Sequence, residues 1–341
     1  MLKALFDLIP KIPKHRRYWF VRTNAGAYYD DFISGNFIGV GWNNITLDTL
    51  EDNIPLCDKV LEKYPKERKN YVARQINIII DEMKKGDVVL IPSYNSTYIH
   101  FGIIEDEMVY EEEIPNEIED LENNSHLTFN YEGICPYKKR RKVNWIKERK
   151  KEMLDPQLYR IIYSQQTISN VDKYADFIDK ALYDFFIKND VCHLILHVRK
   201  KGDIKGSHLV TFMSDLLSLT ELNKMDDEEV NLKVAVQSPG TIELLGAVPV
   251  IVLSTFVLIG ILGGKAKFLG AEINTPGVLG RILEFKKNKQ IQNLLKKIDN
   301  EQEARVGENA DNLNVHLPQS LETIMRQLEQ SNTSGTNNDQ P

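Results

Sequence analysis

The sequence predicts an α+β protein in several parts: a β-rich N-terminal barrel, a small α+β middle domain, one hydrophobic transmembrane segment, an amphipathic C-terminal helix and a disordered tail. Three observations carry that expectation. Aromatic and β-branched runs separated by turn residues fill the first 150 residues, a pattern suited to half-buried strands. Mixed helix-period and strand-like stretches follow over 151–240. Then Leu244 to Gly264 runs twenty-one residues without a charge, closed by Glu243 and Lys265. At about 1.5 Å per residue such a helix is about 30 Å long, the thickness of a bilayer's hydrocarbon core. It shows no polar face, which a surface helix of a globular domain normally has. A buried core helix is the competing reading. The expected divisions are 1–150, 151–240, a membrane-inserted helix over 241–266, a basic amphipathic region over 267–300, and a polar tail over 301–341.

Composition sets the frame. The chain of 341 residues is 42% hydrophobic and 27% charged, with a net charge of −6. That balance gives no global attraction to nucleic acid, so any basic site must be local. Cys57, Cys135 and Cys192 are far apart and odd in number, with neither metal spacing nor a disulfide framework, which fits a reducing cytoplasm. The opening residues do not have the charge order of a signal peptide.

In chain order, Tyr18 to Arg22 reads as a strand, Asn24-Ala25-Gly26 as a turn, and Phe37 to Trp42 as a second strand. Residues 58–85 have Val72, Ile76, Ile79, Ile80 and Met83 at helical spacing. Gly86 stops that helix. Asp87 to Pro92 and Tyr98 to Ile104 are strands joined by a turn over Ser93 to Ser96. Ten acidic residues between Glu105 and Glu122 mark an exposed loop, and nine basic residues crowd Lys138 to Lys151 around Val143 and Trp145.

The pieces Trp19-Phe20-Val21-Arg22, Phe32, Gly39-Val40-Gly41-Trp42, Lys85-Gly86-Asp87-Val88-Val89, Phe101-Gly102-Ile103-Ile104 and Arg141-Lys142-Val143-Asn144-Trp145 stand in an order that resembles the EVE-like branch of the PUA superfamily. This small β-barrel occurs at the N-terminus of Mrr-type restriction and other prokaryotic conflict proteins. The resemblance covers about 18–146 and implies a pocket that reads a nucleobase, often a modified one. The acidic stretch is long for such a domain.

Physical reasoning runs beside that resemblance. Aromatic faces stack on any base at about 1–3 kcal/mol each, while a few polar groups choose among bases. Trp19, Tyr28, Tyr29 and Trp42 are the expected pocket walls, Arg22 and Asn24 the donors, and Lys138, Lys139, Arg140, Arg141 and Lys142 the phosphate contacts. Against this stands barrel core for Trp19 and Trp42, and a solvated charged face for the basic run.

In the middle stretch, Thr167 to Ile187 reads as one amphipathic helix, Val191 to Val198 and Ser207 to Phe212 as strands, Met213 to Leu222 as a short helix and Val230 to Val236 as a strand. His193 and His197 are two alternate steps apart on a strand, too far for one metal ion. No catalytic triad, phosphate loop, paired-carboxylate motif or nuclease core stands out, so no cofactor is expected and the sequence leaves enzymatic activity undecided. The rival is an enzyme site around His193, Asp203 and His208.

The basic residues Lys265, Lys267, Arg281, Lys286, Lys287 and Lys289 follow the apolar run, against Lys224 and Lys233 before it. This places the C-terminal side in the cytoplasm, where a leaderless N-terminal half also belongs. A single span cannot satisfy both, leaving a hairpin about Pro249 or Ser254-Thr255, or a segment outside lipid. Gly260 and Gly264 form a G-x-x-x-G pair suited to packing between membrane helices and hence to a homo-oligomer. Arg281 to Ile298 reads as an amphipathic helix, and the chain from Ser331 as disordered. Together these predict an inner-membrane protein with cytoplasmic N-terminal domains, acting as a sensor and effector of prokaryotic defence or stress. It would read a nucleic acid or nucleotide and relay that event to the membrane helix. A membrane-anchored scaffold is the blander alternative.

Overall fold

A computed structural model describes residues 6–50, 54–115, 134–225, 227–235, 240–262, 266–268, 289–321, 323–324 and 327. The chain divides into two units, one made of 1–14 with 183–341 and the other of His15–Leu182.

After a helical turn over 6–8, the first unit gives strand β1 (Lys11–Ile12), and the chain then enters the second. There β2 (Tyr18–Val21), β3 (Phe37–Val40), β4 (Val88–Pro92), β5 (Tyr98–Ile104), β6 (Tyr110–Glu111), β7 (Lys139–Lys150) and β8 (Ile168–Asn170) form one sheet in the order β3-β7-β5-β4-β2-β8, with β6 on β7. The long β7 pairs β3 through its first half and β5 through its second, which curls the sheet into a half-barrel. A register shift at Phe101/Gly102 lies in the second pairing, and a Cβ on Gly102 would overlap Val143 and Trp145. Helical pattern gives way where its chemistry fails. Residues 58–85 break at Pro65 into the Leu56–Lys63 and Lys69–Asn77 helices, the latter ending in a π turn over Ile78–Glu82. Trp19, Val21, Phe32, Ile38, Val40, Ile79, Met83, Val89 and Val143 pack the inside.

The expected single helix over Thr167 to Ile187 is instead β8, a short turn, the Ala175–Leu182 helix and β9 (Phe185–Lys188). Asn170 and Asp172 explain the first break. The Asn170 Nδ2 donates to Asp172 at 2.7 Å, and the Asp172 N–H returns to Asn170 Oδ1. Such side chains offer the backbone an alternative to the helix ladder.

The remaining strands belong to the first unit. β9 turns through Asn189 and Asp190, both at positive φ, into β10 (Val191–Val198). This two-residue turn follows the twist of a hairpin. With β11 (Asn231–Ala235), β12 (Gly240–Ala247) and β13 (Val315–His316) the order is β1-β9-β10-β12-β11, and β13 also pairs β10. Ser207 to Phe212 is not a strand but the start of the Gly206–Glu221 helix. Phe212, Leu216 and Leu219 explain this, because their three-and-four spacing faces the core.

The transmembrane expectation is overturned. The apolar run is split between β12, hydrogen-bonded on both edges by β10 and β11, and the fifteen-residue Val248–Leu262 helix. At about 1.5 Å per residue that helix is about 22 Å long. Among the described residues no helix is long and apolar enough to cross a membrane. The run lacks a polar face because protein surrounds it: it packs among the Gly206–Glu221, Lys289–Leu295 and Asn300–Asn312 helices, and Val252, Phe256, Ile259 and Leu262 are buried. A helix that is hydrophobic all round belongs in a core as readily as in lipid. The inner-membrane location, the membrane partner and the membrane role of Gly260 fall with the span. Gly260 instead faces Leu295 of the same chain, where an added Cβ would stand 3.2 Å from Leu295 Cδ1. Gly264 and the tail from Ser331 lie outside the described residues. Beyond Asp299 the polar stretch is helical, capped by the Asp299 carboxylate on the Gln302 N–H at 2.7 Å.

Candidate functional site

In the His15–Leu182 unit β2 and β4 run parallel, so both end at the same edge of the half-barrel. β2 leaves through Arg22 and Thr23 into a turn with Asn24, Ala25 and Gly26 all at positive φ. The Thr23 hydroxyl donates to the Pro92 carbonyl at 2.6 Å, tying this turn to the end of β4. A Cβ on Gly26 would overlap the Tyr94 backbone, so glycine alone permits the 24–26 turn to sit against that loop.

Beyond β3 the chain reaches Trp42 with φ 59°, a conformation that bulky side chains rarely adopt. Two contacts hold it there. The wholly buried Lys139 ammonium donates to the carbonyls of Trp42 and Ile45, each at 2.8 Å. The Asn43 amide donates to the Pro136 carbonyl at 2.7 Å, and its oxygen accepts the Lys138 N–H at 3.0 Å. The Trp42 ring stays half-buried and meets Tyr71 edge-on, with centroids 6.3 Å apart. The Tyr71 hydroxyl accepts the Thr167 N–H at 2.9 Å and lies 2.9 Å from the Thr167 hydroxyl. The Thr167 carbonyl accepts the Arg22 N–H, and the Arg22 guanidinium donates to the Ser164 carbonyl at 2.8 Å. A connected rim thus runs Trp42, Tyr71, Thr167, Arg22. Tyr28 stands edge-on to Tyr137, centroids 5.2 Å apart, and both rings pack on the same inner cluster as Trp42.

Of the residues singled out from sequence, the structure brings Arg22, Asn24, Tyr28 and Trp42 to this end of the unit. Trp19 is inside the core, its indole N–H donating to the Asp87 carboxylate at 2.9 Å. Tyr29 is buried too, donating to Glu148 at 2.8 Å with His100 Nδ1 3.1 Å away. Burial first, then the Glu148 carboxylate, pushes the Tyr29 phenol well up, and burial pulls His100 below its ordinary value. The basic run divides by strand alternation. Lys139 and Arg141 point inward, Arg141 paired with Asp106 at 2.9 Å. Arg140 covers the Phe37 ring at 3.9 Å, Lys138 is half-buried, and Lys142 is exposed.

Tyr71, Asn43, Tyr137 and Thr167 went unread in the sequence. A signal for Tyr71 was present: Tyr71 and Gln75 are four apart, bordering the Val72/Ile76 face of their helix, and Gln75 is buried with its amide oxygen on the Ile168 N–H at 2.6 Å. In the other unit His193 Nδ1 lies 2.8 Å from Glu243 Oε1 and its ring stacks on Phe186. Asp203 is exposed, and His208 is half-buried in the first turn of the Gly206–Glu221 helix. Among the described residues no group of three or more His, Cys, Asp or Glu side chains is placed to hold a metal ion.

Comparison with known proteins gives a family model described as Domain of unknown function (DUF8426), which matches residues 19–172. No curated protein matches. Among solved structures, the crystal structure of the YTH domain of Zygosaccharomyces rouxii MRB1 protein in complex with N6-methyladenosine RNA is similar at 12% identity, covering 51% of this chain and 91% of that chain, with a TM-score of 0.26.

Proposed function

We propose that the His15–Leu182 unit reads a nucleobase, presented by a single-stranded nucleic acid or a nucleotide, on the half-buried aromatic rim of Trp42. One observation carries this reading: Trp42 is held in a strained backbone conformation by a buried lysine while its ring stays partly open. Strain of this kind costs of order 1–3 kcal/mol and persists where surrounding structure over-determines it, which is characteristic of binding sites. A core tryptophan needs no such device, and Trp19, fully buried on an ordinary strand, provides the contrast. Trp42 and Tyr71 supply ring surface, and Arg22 and Asn24 lie at the same end of the unit to discriminate base edges or hold a phosphate. A modified base as ligand and a place in prokaryotic defence rest on the EVE-like resemblance. The relay to a membrane helix falls with that helix.

The test measures binding of the full chain to fluorescent single-stranded RNA and DNA, with and without N6-methyladenosine. Trp42→Ala is expected to weaken binding about tenfold or more, the loss of one stacked ring, while the unit remains folded. Unchanged affinity, or an unfolded unit, would show that Trp42 serves packing instead.

A further inference from the structure

A groove of about 520 Å³ opens between the turn after β4 and the segment after β7 of the same unit, with Asn95, Thr97, Tyr98, Lys150, Lys151 and Tyr159 on its walls. Four features set it apart from ordinary surface. Asn95 and Ser96 are consecutive left-handed residues, both at φ 53°, so the turn is held in a conformation that non-glycine residues rarely take. The Thr97 carbonyl accepts the Lys151 N–H at 2.9 Å, which fixes one wall to the other. The Lys151 ammonium lies 5.3 Å from the Tyr159 ring and 6.0 Å from the Tyr163 ring. Tyr94 and Tyr163 are each 70% exposed, so two large rings are offered to solvent near the groove instead of serving the core.

Both walls continue into the rim described above. Tyr94 backs directly onto Gly26 of the Asn24 turn, and Tyr163 precedes Ser164, whose carbonyl holds the Arg22 guanidinium. We propose that this groove is a stacking and phosphate track for the nucleotides that flank the base held at Trp42. Open tyrosine rings accept successive bases whatever their identity, and the ammonium groups of Lys150 and Lys151 meet the backbone phosphates between them. Glu152 also lines the groove, so its charge is two ammoniums against one carboxylate. That modest excess suits a short stretch of single strand, whose bases can reach the rings, better than a duplex, whose bases are stacked inward. The occupant is a single-stranded nucleic acid. The track rests on the base-reading role of the rim, and its test is arranged to separate the two.

The probes are mixed-sequence single-stranded RNA and DNA of about nine nucleotides and the corresponding nucleoside 5′-monophosphates, each titrated into the full chain. Lys151→Gln combined with Tyr163→Ala is expected to weaken oligonucleotide binding by about fivefold or more and to flatten its log–log salt dependence by about 0.7 per lost phosphate contact. Monophosphate binding should be unchanged. Trp42→Ala should weaken both. If the double variant binds the oligonucleotide as the wild type does while Trp42→Ala does not, the track is overturned and the base site stands. If the double variant loses the oligonucleotide while Trp42→Ala does not, the track stands and the base site is overturned. A wild-type chain that binds neither probe overturns both. RNA and DNA affinities compared at one salt concentration identify which strand the groove accepts.

Discussion

The Lys139 ammonium donates to the Trp42 carbonyl at 2.8 Å, joining a buried cation on β7 to the one tryptophan whose backbone is left-handed. A charge in the barrel wall therefore sets the pose of a ring at the rim. Removing it leaves the Trp42 and Ile45 carbonyls without that donor inside a packed interior.

Lys139→Met keeps the length of the side chain and removes the ammonium. It should destabilise the His15–Leu182 unit by about 1–3 kcal/mol, the cost of a buried acceptor left unmade. Ligand binding should fall further than stability alone explains, since Trp42 is freed to relax toward ordinary φ. Trp19, Trp42 and Trp145 are the three tryptophans of the chain and all lie in this unit. Urea unfolding followed by tryptophan fluorescence thus measures it alone. Wild-type stability and affinity in Lys139→Met would show that the contact is idle.

The Val248–Leu262 helix gives the second prediction. Gly260→Ala should be close to neutral, because the helix-propensity gain of about 1 kcal/mol offsets the small displacement of Leu295. Gly260→Leu overfills the same gap and should cost about 1–3 kcal/mol, partly recovered by adding Leu295→Ala, with a coupling of at least about 0.5 kcal/mol. Val252 is wholly buried, so Val252→Arg should prevent this unit from folding. Urea unfolding read by far-ultraviolet circular dichroism measures the Gly260 variants together with the single Leu295→Ala variant that completes the cycle, and the spectrum in the absence of urea reports the loss of structure in Val252→Arg. A Gly260→Leu chain as stable as wild type would contradict the packing against Leu295.

The third concerns pH. Burial lowers His100 below its ordinary value near 6.5, and Glu148 opposes that shift. The folded state then binds fewer protons than the unfolded one. Its contribution is complete above about pH 6.5 and is lost as the pH falls through the lower folded value. The urea midpoint from tryptophan fluorescence should decline between about pH 7 and about pH 5, and His100→Gln should flatten that decline. An identical slope in the variant would place the pH sensitivity in other groups.

Much of the strand framework was legible because β-branched and aromatic runs bounded by Gly, Pro and Asn have few other places to go. Val88–Pro92, Tyr98–Ile104 and Val191–Val198 are such runs. The apolar segment misled because hydropathy reports only that water is absent, and a core excludes water as lipid does. Pro249 in the first turn of the Val248–Leu262 helix was the cue that a new element begins there, shortening the run below a span. At the rim, Trp42, Arg22 and Asn24 stood out by residue type, while Tyr71 and Thr167 arrive from distant segments that only the fold brings near. The inward turn of Lys139 and Arg141 was recoverable. Both share strand parity with Val143, whose place in the core was predictable.

The pairing of Lys11 with Ile187 across β1 and β9 bears on how the chain is made. The first unit begins before His15 and resumes only at Tyr183, so the ribosome must deliver the whole intervening unit before β1 meets its partner. The half-barrel can be complete while the flanking sheet still lacks its edge. Closing so long a loop costs little extra free energy, because each doubling of length adds only about 0.6 kcal/mol. The delay is kinetic, and during it the apolar residues of β12 and the Val248–Leu262 helix emerge into a sheet that is still assembling, ahead of the Lys289–Leu295 and Asn300–Asn312 helices that pack on them. A chain ended after Leu182 and released from the ribosome should therefore already show the folded tryptophan signal of the His15–Leu182 unit, and an unfolded spectrum would contradict that order.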